Sequence, residues 1–98
     1  MLFSWFDAKE AKEFGISLAR FHIEKFPLEE TRNKNKSPAK QQESLKKLFQ
    51  QMLFFQKEHK LNIYKKAQLG NAFKWAMKEA GYESEYVDQV TKQLMLIR

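Results

Sequence analysis

The sequence predicts an all-α fold, a small four-helix bundle-like domain, and three observations carry that expectation. The 98 residues include only three Gly and two Pro, while Lys, Glu, Gln, Ala and Leu, which lose little on entering a helix, are abundant. Hydrophobic residues make up 43% of the chain, with nine Phe, two Trp and three Tyr, enough for one core and one domain over residues 1–98. The apolar residues also recur at steps of three and four, which gathers them on one side of a helix.

The first helix is expected at about 7–25. Asp7 can cap it, Glu10 completes a capping box, and Phe6 is placed for a hydrophobic staple onto Ala11. Ala11, Phe14, Leu18 and Phe21 form its apolar stripe. Pro27 stops it, because proline lacks an amide donor and pushes the preceding residue out of helical geometry. The polar connection at about 27–37 has no periodic apolar residue and is expected to be exposed and mobile.

Ser37-Pro38 restarts the chain as a second helix at about 38–59, with Leu45, Leu48, Phe49, Met52, Phe55 and His59 on its inner stripe. Leu53 and Phe54 widen its apolar arc beyond what one partner helix needs. Asn62 can cap a third helix at about 63–80, which ends where Gly81 can take the left-handed conformation. Its expected inner face is Ile63, Ala67, Gly70, Phe73, Met77 and Ala80, with Leu69 and Ala76 beside it; the small residues permit close approach of a neighbour. Ser84 is the expected cap of a fourth helix at about 85–97, with Val87, Val90, Leu94 and Ile97 inward. Short turns should make the second, third and fourth helices antiparallel neighbours, with the first reaching them across the longer connection.

The absence of cysteine excludes disulfides and thiolate metal sites and fits a reducing compartment, with the cytoplasm as the expected location. The apolar start, Leu2-Phe3-Ser4-Trp5-Phe6, has no basic segment before it and is too short for a signal peptide or a membrane span. No metal or other cofactor is expected. His22 and His59 fall on different helices without metal-ligand spacing, and Gly15, Gly70 and Gly81 are isolated rather than gathered in a phosphate-cradling loop. His22 reads as a flanking residue of the first helix and His59 as the polar end of an inner stripe. The carboxylates sit at expected caps and solvated faces, so no enzyme activity is expected unless His22, His59 and a carboxylate converge in one pocket. The third and fourth helices have the apolar spacing of a DNA-binding helix-turn-helix. A recognition helix there would present Glu83, Glu85 and Asp88 to phosphate, so the simpler reading is an αα-hairpin.

Two features remain. Residues 31–78 carry 12 Lys and Arg against 2 Asp and Glu, in a chain of net charge +6. Arg32, Lys34, Lys36, Lys40, Lys46, Lys47, Lys65 and Lys66 are the candidates for non-specific nucleic-acid binding, driven by the phosphate backbone because lysine dominates. Solvated helix faces are the simpler account of them. The second feature is surplus apolar surface at Leu2, Phe3, Trp5 and Phe6 and at Leu53 and Phe54, which predicts a protein-partner or self-association surface. An N-terminal arm packed on the bundle is the simpler account of the first four. The expected function is therefore a small non-catalytic helical interaction module, binding a protein partner or forming a homodimer, with nucleic-acid binding as the alternative.

Overall fold

The computed structural model describes residues 8–31, 37–59 and 61–97. Its elements are α1 (Lys9–Lys25), α2 (Leu28–Thr31), α3 (Ser37–Glu58), α4 (Ile63–Glu79) and α5 (Ser84–Met95). It is an all-α, four-helix bundle-like structure with α2 as one added turn, and the described residues contain no strand.

Local chemistry accounts for three of the helix ends. The side-chain oxygen of Asn62 accepts from the Lys65 amide at 2.7 Å and caps α4. At the other end, Gly81 has φ 97°, and the Gly81 and Tyr82 amides donate back to the Lys78 and Met77 carbonyls. That is the paired closing bond of a helix ended by a left-handed residue. α1 stops at Lys25, ahead of Pro27 as expected.

Two helix starts and one connection differ from expectation. α1 begins at Lys9, and Ala8 holds the cap position through its carbonyl, 2.8 Å from the Lys12 amide, with no side-chain cap. Asp7 and Phe6, on which the capping box and staple rested, lie outside the described residues. The connection after Pro27 is not irregular throughout: Leu28 packs on the core, its side chain lying over Gly81, and this one apolar anchor accompanies the turn α2. At α5, Glu83 takes the cap position instead of Ser84, because its backbone is extended and its carbonyl already accepts from the Val87 amide at 3.0 Å.

The larger correction concerns neighbours. The most extensive backbone contact is between α1 and α4; α4 also lies against α5, and α1 against α3. Thus α1 sits between α3 and α4, although the latter two are consecutive in the chain. Side-chain size explains this order. α1 buries Ala11, Gly15, Leu18, Ala19 and His22, a face small enough for another backbone to come near. A Cβ on Gly15 would collide with the Leu69 carbonyl oxygen and lie 3.2 Å from the Ala72 Cβ. α3 instead presents Leu48, Met52 and Phe55, whose bulk keeps its axis farther away.

The core contains Leu18, Leu48, Met52, Leu69, Phe73, Met77, Val87 and Leu94. On α4 the buried face is Leu69, Gly70, Phe73 and Met77. Ile63 is 87% exposed, and Ala67 and Ala80 are also on the outside, contrary to expectation. Gly70 does serve packing, since the Met95 side chain occupies the space a Cβ would need.

Candidate functional site

α1 and α3 run antiparallel in a register marked by three side-chain meetings. Glu10 lies 3.2 Å from His59, the Phe14 and Phe55 rings stack with centroids 4.0 Å apart and planes 6° apart, and His22 meets Ser44. Along this seam the bulky residues Phe14 and Phe21, expected in the core, sit at its edge and are only partly buried. They floor an open groove of about 880 Å³ with Phe55. Leu53 and Phe54 form its apolar wall, and Lys47, Gln50, Gln51, Lys57 and Glu58 complete its α3 side. Phe54 is 70% exposed and Leu53 38%. A ring left that far in water beside an apolar depression leaves apolar area that is buried only when another surface covers it.

The second feature is a buried polar chain that sequence reasoning missed. His22 is fully buried and Ser44 is 1% exposed. The imidazole lies between the Ser44 hydroxyl, 2.6 Å from Nδ1, and the Tyr86 hydroxyl, 2.6 Å from Nε2. A neutral ring has one donor and one acceptor nitrogen, so one hydroxyl donates to it and the other accepts. Burial holds the His22 pKa down at about 4. Burial also raises the Tyr86 pKa, although a hydrogen bond with Gln41 works against the rise. Beside it, the Tyr82 hydroxyl donates to the Phe26 carbonyl at 2.6 Å, and burial, aided by Tyr86, pushes its pKa up to about 12. The chain therefore ties α1, α3 and α5 together. An imidazole of such low basicity is a poor proton acceptor at neutral pH.

His59 lies apart from this chain, on the Phe55 ring at 4.4 Å between centroids and beside Glu10, so the two histidines do not share a pocket. Among the described residues, no three His, Asp or Glu side chains gather to hold a metal ion. No described helix is long and apolar enough to cross a membrane.

The basic candidates divide. Arg32, Lys34 and Lys36 lie outside the described residues, as do Leu2, Phe3, Trp5 and Phe6. Lys46 is on the exposed side of α3, Lys47 pairs with Glu43 at 3.2 Å, and Lys40 borders a small pocket with Ser44. Lys65 is half-buried at the start of α4, and the Lys66 ammonium donates to the Ile97 carbonyl. Farther along α4, Lys74 and Lys78 both reach Asp88 of α5 at 3.4 Å. Desolvation is the largest single influence on Asp88 and works upward, but the hydrogen bonds and charges of these two lysines together outweigh it and hold its carboxyl below the usual range. Asp88, one of the three carboxylates that weigh against a helix-turn-helix, thus serves to clasp α5 to α4.

The sequence did hold a signal for the missed residues. His22 continues the spacing of Ala11, Gly15 and Leu18, and Ser44 lies one turn ahead of Leu48 and two ahead of Met52. With this geometry in view, no family model, no curated protein and no solved structure matches the chain.

Proposed function

We propose that this protein is a small non-catalytic helical interaction module that receives an apolar segment of a protein partner in the groove between α1 and α3. The observation that carries the proposal is the position of Phe54, exposed on the wall of a groove already floored by Phe14, Phe21 and Phe55. Exposed aromatic residues beside an apolar depression are the usual anchors of protein recognition. Binding of a second copy at the same surface is the other form of this reading. The cytoplasm is the proposed location, on the absence of cysteine.

Nucleic-acid binding has less support, because Lys66, Lys74 and Lys78 all have partners within the chain.

A photo-crosslinking side chain placed at Phe54, and separately at the equally exposed Trp75, tests the proposal. The expected outcome is discrete adducts from position 54 alone, lost on Leu53→Glu while the melting temperature holds. Adducts in equal yield from both positions, or none from either, overturn it.

A further inference from the structure

Resting on the groove reading above, we infer that the occupant is an acidic amphipathic helix of another protein rather than a second copy of this chain. The groove follows α3 from Lys47 to Glu58, about 16 Å at 1.5 Å per residue, which accommodates roughly three turns of a helix.

Its walls decide the form of the occupant. Both are helices whose backbone groups are paired internally, so an extended peptide finds no strand edge here. Laid over Phe14, Phe21 and Phe55, such a peptide would hold unpaired amides and carbonyls against apolar rings. A helix arrives with those groups satisfied and needs only an apolar stripe.

Its rim decides the charge. Lys47 and Lys57 stand towards opposite ends, Gln50 and Gln51 between them are neutral, and Glu58 is the only carboxylate among the described groove residues. On the α1 side, the Lys25 ammonium lies 6.0 Å from the Phe21 ring centre. The Lys47–Glu43 pair is an exposed pair one turn apart and exchanges readily for a partner's carboxylate. Carboxylates flanking the apolar stripe of an incoming helix therefore meet cations. A second copy presenting the same groove would bring the same net positive rim, with Glu58 its one described carboxylate, and so complement it less well than an acidic helix does. The net charge of +6 further favours encounter with an acidic partner.

The test uses three synthetic three-turn helical peptides with one shared Leu and Phe stripe, flanked by Glu, by Gln or by Lys. Each is titrated into the isotope-labelled full chain, and amide shifts are followed at low and at physiological salt. The expected result is saturable binding of the Glu peptide, with shifts centred on Phe14, Leu53 and Phe54. Its affinity should exceed that of the Lys peptide by about tenfold or more at low salt, with a smaller margin at higher salt. The exposed double substitution Lys47→Glu with Lys57→Glu should reverse the preference. Equal binding of all three peptides overturns the acidic assignment and leaves the groove standing. Binding of none, or shifts elsewhere, overturns the groove reading itself. Concentration-dependent shifts at these residues without peptide would assign the groove to a second copy and overturn the inference.

Discussion

His22 shows how one side chain sets the conditions under which the bundle holds. Unfolded, its imidazole takes a proton near pH 6.5; folded, only near pH 4, because burial denies the cation its water. Between those values unfolding takes up a proton, so stability falls as pH falls. The loss reaches about 3 kcal/mol by the lower end, while above pH 6.5 this group adds no slope. The expected outcome is a urea midpoint that drops steadily for the native chain from about pH 7 to about pH 4. The His22→Gln variant should start lower, having lost the fit between Ser44 and Tyr86, and lack this part of the slope. Equal slopes in the two proteins would assign the acid sensitivity to other groups. The residue was legible as apolar-stripe spacing and illegible as function, since Phe14 and Phe21 are the louder signal on α1. Volume settled the matter: the small face of Ala11, Gly15 and Ala19 turns inward, carrying His22 with it and moving the two phenylalanines to the groove.

Among the helices, the elements themselves were legible and their pairing was not. Asn62, Gly81 and Pro27 act locally, through bonds or torsions fixed by a few residues, and the ends of α4 and the stop of α1 follow from them. Ser84 failed as a cap because the neighbouring Glu83 backbone, not the better side chain, adopts the required geometry. Neighbour choice depends on which faces can approach closely, and the decisive residue, Gly15, looks like any isolated glycine in sequence. Two glycine substitutions separate these effects. Alanine in a helix interior is favoured over glycine by about 1 kcal/mol, so both changes begin with that gain. At Gly70 the obstacle is the end of the flexible Met95 side chain, which can turn away; the expected change in stability is small. At Gly15 it is the Leu69 backbone, which moves only if α1 and α4 separate. There, overpacking of about 1–3 kcal/mol outweighs the gain, and a net loss is expected. Chemical denaturation of the two variants checks the contrast; similar stability in both would mean the α1–α4 contact is looser than the structure has it.

Charge decides between the two surfaces of the whole molecule. The sequence shows a basic middle, but not that the fold brings Asp88 to Lys74 and Lys78. Nor does it show the C-terminal end of the chain beside Lys66, which donates to the Ile97 carbonyl. Helix pairing makes those contacts, and pairing was the part the sequence left open. The pairs do not cancel the net charge of +6, so some attraction to any polyanion is expected. Its form distinguishes a solvated face from a nucleic-acid site. Each phosphate neutralised contributes about −0.9 to the slope of log affinity against log salt on duplex DNA. A few exposed lysines, with no arginine among the described members of the basic set, predict a shallow slope and binding that disappears at physiological salt. Fluorescence anisotropy of labelled mixed-sequence RNA and DNA measures this directly. Tight binding that survives physiological salt and is abolished by reversing Lys46, Lys47, Lys65 and Lys66 would move the functional surface to the lysines and away from Phe54. Weak binding indifferent to that reversal would leave the groove as the surface on which a partner can be recognised, with the lysines serving to steer it there.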